Sequence, residues 1–316
     1  MPRTAVYLIS WFAFVVAAVA FVSRFTPVVN HAVLLVSALS PYLMLGAVVS
    51  AVLLLITGPW WAAAPAIVLS VAAAYGQLPL FSASGSPNGA ALRVLTANLH
   101  ESSVDAKELA TIARDRTDVL VVQELTAEFA AEFGRQGLES DFPHHALAPA
   151  AGANGVGIWS RHPIVQSSRV SGYELGALTA TVEVPGVASD AVILGLHLVG
   201  PWPQPVDDWR QEIANLPDTL RETADIAGPG AVIVAGDFNA TMDMAPFRRL
   251  FSEGFEDARE HAGAGLAATY PADSAIPPLV GIDHILVRNG SATDTDTVSI
   301  PGSDHLGLSA TVRIPS

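Results

Sequence analysis

The chain has 316 residues, 51% of them hydrophobic and only 15% charged, with a formal net charge of −14 and no cysteine. This length allows a folded domain together with a second segment, and the absence of cysteine excludes disulfides and thiolate catalysis within the chain. The excess of acidic residues argues against a nucleic-acid partner, because proteins bind DNA and RNA mainly through Lys and Arg contacts to phosphate.

The charged residues are concentrated in one part of the chain. Residues 1–81 contain no Asp or Glu and only Arg3 and Arg24, whereas all 30 acidic residues and the other 14 basic ones lie further along. The first part holds three apolar stretches, at residues 5–22, 32–56 and 61–80. Each is long enough for a helix that crosses a membrane. Residues 1–81 are therefore predicted to form a membrane anchor of three transmembrane helices, the alternative being buried helices of a soluble protein.

The orientation of this anchor depends on few charges. Arg3 favours a cytoplasmic amino terminus by the positive-inside rule, although Arg24 in the next loop opposes that bias. Three spans place the two ends of the chain on opposite sides of the membrane. We therefore expect a multi-pass protein of the cell membrane whose larger, acidic part is extracytoplasmic.

Residues 82–91, which begin SASGSPNGA, are rich in turn-forming residues and are predicted to be a linker. In residues 92–316, strand-like and helix-like patterns alternate. Strands are predicted at residues 92–98, 118–123, 155–160, 165–171, 177–185, 190–197, 231–235, 282–287, 293–300 and 307–313. Helices are predicted at residues 104–114, 127–134, 206–224 and 245–251. Strands mixed with covering helices indicate an α/β domain with its helices outside the sheets.

Several of these apolar strands end on polar residues. They are RVLTANLH with Asn98, LVVQEL with Glu124, ILGLHL with His197, AVIVAGDFNAT with Asp237 and Asn239, and GIDHILV with Asp283; Asp304 and His305 follow in GSDHLG. Each residue alone could be a cap, a turn former or a packed core residue. A buried carboxylate needs a partner, however, and ligands collect beyond strand ends in α/β sheets.

The residue types restrict the chemistry. The chain has no Gly-x-Ser-x-Gly or His-Glu-x-x-His run, which argues against a serine hydrolase of the α/β type or a zinc protease. Carboxylates and amides suit Mg²⁺, with Mn²⁺ as the other possibility, and histidines can stabilise a phosphoryl group. The set therefore indicates metal-assisted phosphoryl hydrolysis.

The ordered motifs ANLH, VQEL, WSRHPI, LHL, GDFNA, IDHIL and SDHLGL resemble the endonuclease/exonuclease/phosphatase superfamily over residues 92–313. That group includes nucleases related to DNase I, sphingomyelinases and inositol-phosphate phosphatases. The resemblance implies a DNase I-like, four-layer α/β sandwich in residues 92–316.

The resemblance also implies roles for the polar residues. Glu124 would be the main Mg²⁺ ligand, with Asn98 and Asp304 beside the metal. Asn239 and His197 would bind phosphate oxygens, and His197 would protonate the leaving group.

Two further roles concern the attacking water and the scissile phosphate. Asp237 would orient or deprotonate the water. His305, oriented by Asp283, would contact the phosphate. Whether Asp237 or His305 is the base is left open.

The anchor extends the resemblance to membrane-anchored bacterial members of the VanJ type. This implies a membrane lipid or lipid-linked phosphate substrate, such as undecaprenyl pyrophosphate, with nucleic acid an unlikely partner. An anchored extracellular nuclease and a non-catalytic binding domain remain the alternatives. Less specific expectations are structural roles for Arg161 and His284, surface positions for His144 and His145, and a loop at residues 199–210 that faces substrate or membrane or is simply packed.

Overall fold

The computed structural model describes residues 3–316 and divides the chain into two compact units. One comprises the chain up to Pro79 together with Thr241–Arg248, and the other comprises Leu80–Ala240 and Arg249–Ser316. We call the first the anchor unit and the second the catalytic-fold unit.

The anchor unit is built from apolar helices. They are α1 (Arg3–Ser23), α2 (His31–Ala38), α3 (Ser40–Leu43), α4 (Leu45–Thr57) and α5 (Ala64–Gln77), with 3₁₀ turns at Trp60–Ala63 and Leu78–Phe81. Three helical stretches are long and apolar enough to cross a membrane, namely Arg3–Ser23, Ser40–Thr57 and Trp60–Phe81. A Cβ atom at Gly46 would lie 2.9 Å from the Ala13 carbonyl oxygen, so glycine there lets α4 pack closely on α1.

The second apolar stretch differs from the prediction. Residues 32–56 do not form one helix, because α2 ends at Ala38 and a new helical segment begins at Ser40. Pro41 lies in the first turn of that segment. Proline lacks the backbone N–H that a continuing helix needs, but it is accommodated in a first turn. The candidate span therefore begins at Ser40.

The catalytic-fold unit contains two six-stranded mixed sheets. Its strands are β1 (Ala90–Asn98), β2 (Val119–Gln123), β3 (His144–Ala148), β4 (Val156–Ser160), β5 (Ile164–Val170), β6 (Ala177–Val182), β7 (Ala191–His197), β8 (Val232–Asp237), β9 (Glu256–Asp257), β10 (Asp283–Arg288), β11 (Ser291–Ser299) and β12 (Leu306–Ile314). Sheet A has the order β11-β12-β1-β2-β4-β3, and sheet B has the order β5-β6-β7-β8-β10-β9. In each sheet one central pair is parallel, β1 with β2 and β7 with β8.

Helices cover the outer faces of both sheets. The helices are α6 (Ala106–Arg116), α7 (Ala127–Arg135), α8 (Leu138–Asp141), α9 (Val206–Ala227) and α11 (Ala258–Ala262), while α10 (Ala245–Arg248) belongs to the anchor unit. Asp105 caps α6 by accepting the N–H groups of Lys107 and Glu108, and Thr126 caps α7.

The hydrophobic residues form a layer between the sheets and a second layer beneath the helices. Val94, Val121 and Ile158 of sheet A share one core with Ile193 and Ile285 of sheet B. A second core packs the other face of sheet A against α6, α7 and α8. Helix α9 buries Trp209, Ile213 and Leu216 and contacts β7 and β8 of sheet B. The predicted four-layer DNase I-like α/β sandwich is confirmed.

The structure contains elements that the sequence patterns did not indicate. They are α8, α11, β3 and β9. All of them span five residues or fewer, which is too short for a helical or alternating pattern to stand out. Strand β3 is also an edge strand, so only one side of it pairs.

Candidate active site

The strand ends of both sheets bring the predicted polar residues together. Asn98 ends β1 in sheet A, whereas His197 and Asp237 end β7 and β8 in sheet B. Asp237 stands opposite His197 in the parallel pair and opposite Asp283 in the antiparallel pair β8–β10. Gly236 precedes it because a Cβ atom there would lie 1.9 Å from the Leu196 carbonyl oxygen.

Asn98 connects the two sheets at this end. Its Nδ2 donates to Glu124 Oε1 at 3.1 Å and to Asp237 Oδ2 at 3.2 Å. Its Oδ1 accepts the backbone N–H of His100 at 2.9 Å. Asn98 thus holds two carboxylates near each other through its amide group, and its role as a direct metal ligand stays a prediction.

Glu124 is fixed by a left-handed turn. His100, Glu101, Ser102 and Glu124 all have positive φ angles, between 46° and 64°. Such conformations are unfavourable for residues with a Cβ atom and occur often at functional sites. The turn directs the N–H of Glu101 to Glu124 Oε2 at 2.5 Å, while the Glu124 side chain stays only partly buried. The carboxylate is therefore oriented and still accessible.

Asp283 and His305 form a buried pair. Asp283 Oδ2 accepts from His305 Nδ1 at 2.9 Å, and His305 Nε2 lies 3.8 Å from Asp237 Oδ2. Burial opposes a charge on His305, but the negative charges of Asp283 and Asp237 outweigh it and raise the pKa of His305 to about 10. The second oxygen of Asp283, Oδ1, is buried and has no hydrogen-bond partner among the described residues.

His197 and Asn239 surround Asp237 on its other side. His197 Nε2 lies 3.4 Å from Asp237 Oδ2, and its Nδ1 has no partner among the described residues. Burial disfavours the charged form of His197, yet the hydrogen bond and charge of Asp237 raise its pKa. For Asp237, burial is outweighed by His305 and His197, which lower the pKa of the carboxyl. Asn239, with φ 48°, donates its N–H to Asp237 Oδ1 at 2.8 Å and its Nδ2 to the Leu198 carbonyl at 2.9 Å.

Asp304 lies at the rim of this arrangement. Its Oδ1 is 3.8 Å from Nδ1 of His100, and its side chain is 23% exposed. Asp304 is thereby linked to the turn that orients Glu124, through His100. A direct role in metal binding stays a prediction.

The residues present fit a divalent metal. One ligand atom each from Asp237, Asp283 and His305 lie within 4.8 Å of one another, a grouping that could hold an ion. This triad differs from the predicted set of Asn98, Glu124 and Asp304. One of its three groups is an imidazole, whereas Mg²⁺ prefers oxygen ligands and keeps several waters. The role of the accessible Glu124 carboxylate as the main ligand, on the side of the site that Asn98 shares with Asp237, stays a prediction.

The structure adds residues that the sequence did not single out. The Tyr270 ring lies 4.9 Å from the His305 ring and is 37% exposed, so it borders the site. The Thr269 hydroxyl accepts the N–H groups of Ile282 and Asp283 at 3.2 and 3.4 Å. The sequence signal for His100 was present in ANLH, but nothing in that motif indicated the left-handed turn.

The less specific expectations have mixed outcomes. Arg161 donates to the carbonyls of Thr117 and Arg114 at 2.9 and 2.6 Å, which is a structural role. His144 is half-buried and His145 exposed on edge strand β3. Within residues 199–210, Trp202 is 58% exposed, but Trp209 is buried in α9 and donates its indole N–H to the Phe238 carbonyl.

The fold is an α/β fold of the DNase I-like class, and the candidate site lies at the strand ends of its two sheets. The model of the Endonuclease/Exonuclease/phosphatase family matches residues 83–305, which is most of the chain, and the chain belongs to this family. No curated protein sequence matches the chain.

Solved structures with the same fold are distant in sequence. An endonuclease/exonuclease/phosphatase from Beutenbergia cavernae is 20% identical with a TM-score of 0.54, covering 72% of each chain. A humanized TDP2 from D. rerio is 17% identical with a TM-score of 0.58, covering 71% of this chain and 99% of its own. The 3′ phosphatase NExo from Neisseria, bound to a product DNA hairpin, is 18% identical with a TM-score of 0.56 and covers 69% and 98%.

Proposed function

We propose that the protein is a membrane-anchored, Mg²⁺-dependent phosphohydrolase that cleaves a phosphoester or pyrophosphate of a membrane lipid or lipid-linked head group. The observation that carries the proposal is the convergence of Glu124 and Asp237 on Asn98, beside the buried pair Asp283–His305. Negative and positive groups lie side by side there. Such a pairing suits a metal ion together with a phosphoryl group.

In this mechanism the chain's own groups act on the water and the phosphate. Asp237 accepts a hydrogen bond from the attacking water and takes up its proton as the new P–O bond forms. His305 is a poor base because the neighbouring carboxylates favour its charged form, and the pKa is raised to about 10. We therefore assign the base to Asp237 and a charge-stabilising role to His305.

The remaining groups hold the phosphate and complete the proton balance. His197, whose Nδ1 has no partner among the described residues, donates a proton to the leaving oxygen as the old P–O bond breaks. Asn239 supports the loop and donates to a phosphate oxygen. Bound at Glu124, Mg²⁺ would neutralise phosphate charge and lower the pKa of a coordinated water.

The anchor supports a lipid substrate. Three helices suitable for crossing a membrane precede the domain, and the connection from Phe81 to Ala90 reaches only about 30 Å at full extension. Such a connection keeps the domain near the bilayer, where the local concentration of a lipid substrate is high. Undecaprenyl pyrophosphate is the substrate that the VanJ-type resemblance suggests.

We also propose an extracytoplasmic catalytic-fold unit. Arg24 forms a 2.7 Å ion pair with Asp243, and both side chains are buried, so Arg24 is neutralised as a topology signal. Arg3 then favours a cytoplasmic amino terminus.

The orientation is tested by labelling. Because the chain has no cysteine, Ser167→Cys on the exposed face of β5 provides a single thiol. Labelling of intact cells by a membrane-impermeant maleimide should succeed; labelling only after lysis would reverse the orientation.

The substrate is tested with the purified full-length protein in detergent with Mg²⁺. Phosphate release from undecaprenyl pyrophosphate, hydrolysis of a phosphodiester lipid and cleavage of single-stranded DNA are compared, with Asp237→Ala as the control in each assay. Release from the lipid pyrophosphate alone, lost in the variant, is the expected result. The Neisseria 3′ phosphatase, bound to a product DNA hairpin, makes the nuclease the second candidate, and cleavage of DNA alone would select it. No turnover with any substrate would favour the binding domain.

A further inference from the structure

The chain that carries Asp237 and Asn239 continues directly into the anchor unit. The catalytic-fold unit reaches Ala240, and Thr241–Arg248 is part of the same compact unit as the apolar helices. We call this segment the anchor arm. It does not belong to the predicted anchor, residues 1–81, and its attachment to the helices has no role in the chemistry proposed above.

A buried ion pair fixes the anchor arm. Asp243 is 3% exposed, and its Oδ1 lies 2.7 Å from Arg24 Nε and accepts from Gln77 Nε2 at 2.8 Å. Arg24 is 6% exposed, follows the end of α1, and also donates to the Gly76 carbonyl at 3.4 Å. The arm thus forms an ion pair with the residue that follows α1 and a hydrogen bond with the last residue of α5.

Further contacts surround this pair. Arg248 donates to the Arg24 backbone carbonyl, and its guanidinium lies 5.2 Å from the centre of the Phe25 ring. Met244 and Phe247 of the arm are buried. Losing one partner of a buried ion pair leaves an uncompensated charge, which is much less favourable than losing both. The arm is therefore held by a specific interaction and by apolar packing.

The covalent chain transmits this attachment to the candidate active site. Asp243 is four residues beyond Asn239, so their Cα atoms are at most about 14 Å apart. Asn239 has a left-handed backbone conformation and donates its N–H to Asp237. Release of the arm removes a restraint on the chain immediately after this strained residue. Small displacements of groups that position a substrate cost a large part of the rate.

We propose that Arg24 and Asp243 are positioning residues, whose ion pair holds the loop of Asp237 and Asn239 in its catalytic conformation through the anchor arm. The restraint on this loop would then come from the covalent chain that enters the anchor arm at Thr241. The kinetic part of this proposal rests on the proposed function. The conformational part does not.

The conformational part is tested by hydrogen–deuterium exchange of the full-length protein in detergent. Arg24→Gln and Asp243→Asn should each speed exchange several-fold in residues 236–244, because the arm opens more often. The double variant Arg24→Gln/Asp243→Asn removes both charges, and its two amides can bond to each other, so exchange should return toward wild type. Arg93→Gln is the control: Arg93 on β1, 42% exposed, also forms a 2.7 Å ion pair, in this case with Asp118. Wild-type exchange at residues 236–240 in both single variants, or an equal increase in Arg93→Gln, would overturn the proposal.

The kinetic part uses bis(p-nitrophenyl) phosphate with Mg²⁺, a soluble phosphodiester that needs no membrane. Each single variant should lower kcat by about tenfold to a hundredfold with little change in KM, and the double variant should recover part of the loss. Unchanged kcat in variants whose loop exchanges faster would show that the loop conformation does not limit catalysis, which contradicts the positioning role. If the wild type does not hydrolyse the diester, the proposed function is in question and the exchange result alone decides the coupling.

Discussion

Two buried histidine–aspartate pairs lie on opposite sides of strand β10, and they differ in chemistry. Asp283 bonds to His305 in the candidate active site, through Nδ1 at 2.9 Å. The next residue, His284, has its Nδ1 2.6 Å from Oδ2 of Asp257. Both histidines are buried, and each carboxylate contributes one oxygen. Nevertheless the pKa of His305 is raised to about 10, whereas the pKa of His284 is lowered.

The other charged groups around each histidine explain this difference in pKa. Burial disfavours the charged form of both rings. Around His305 the further groups are the carboxylates of Asp237 and Asp304, which favour the imidazolium. Around His284 the further group is Arg259, whose Nη2 lies 2.5 Å from Nδ1 and whose charge adds to the effect of burial. A histidine–aspartate pair therefore has a cationic ring only where no other cation already neutralises the carboxylate.

Each protonation state suits what the ring contacts. The neutral His284 donates its Nε2–H to the Ala240 carbonyl at 2.8 Å and accepts from Arg259 at Nδ1. It thereby supports the chain just after Asn239, so its role is more specific than packing. The charged His305 has Nε2 3.8 Å from Asp237, too far for a hydrogen bond, so that this N–H can reach a phosphate oxygen.

The prediction with the largest expected effect concerns the cluster of His284, Asp257 and Arg259. Arg259→Met leaves the buried carboxylate of Asp257 without its cation, and Arg259 bonds to it through both Nε and Nη2. Removing one member of a buried ion pair costs about 3–5 kcal/mol. The thermal midpoint of the full-length protein in detergent should fall by on the order of 10 °C.

The matched control is Arg210→Met on α9. It removes an ion pair with Asp207 in which the arginine is 42% exposed, and its midpoint should change little. Equal thermal midpoints for Arg259→Met and Arg210→Met would mean that the buried ion pair of Arg259 and Asp257 does not stabilise the fold more than an exposed ion pair does.

The second prediction concerns the pair of Asp283 and His305 in the candidate active site. Asp283→Asn keeps the size of the side chain but removes the charge that favours His305 in its cationic form. Activity on whichever substrate the assay above selects should fall by about 10²-fold, which is about 2.7 kcal/mol. Asp296→Asn, at a carboxylate that is 65% exposed, is the control. If Asp283→Asn retains full kcat, His305 does not act through its charge.

The sequence was sufficient for the fold, and it indicated the candidate site, because both depend on local patterns. The apolar strands ending at Asn98, His197 and Asp237 were recognisable from their period and their polar ends. The parallel pairs β1–β2 and β7–β8 then bring these ends together. The motif order supplied what composition could not, namely that Glu124 and His305 belong to the same site.

The remainder could not be predicted because it depends on long-range partners. His284 was expected to pack, since the sequence does not show that Asp257 and Arg259 meet it across β9 and β10. The bond from Asn98 Nδ2 to Asp237 joins residues 139 positions apart. Likewise Arg24 was considered only as a topology signal, because its pairing with Asp243 depends on tertiary structure.

The smallest expected effect is a difference in how pH changes stability, and it compares the two histidines directly. The folded pKa of His284 is below its unfolded value of about 6.5, so between these values the unfolded chain binds a proton that the folded chain does not. Stability should therefore fall as pH drops below about 6.5, by at most about 1.4 kcal/mol per unit. For His305 the sign is reversed: its folded pKa is raised to about 10, so its contribution to stability is complete below about pH 6.5 and is lost as pH rises toward 10.

Thermal midpoints in metal-free buffer should thus depend less on pH in His284→Gln than in wild type from pH 7 to 5.5. They should likewise depend less on pH in His305→Gln than in wild type from pH 7 to 10. Parallel curves for wild type and His284→Gln over the acidic range would mean that folded His284 takes up a proton, and Arg259 would then not be the partner that separates the two pairs.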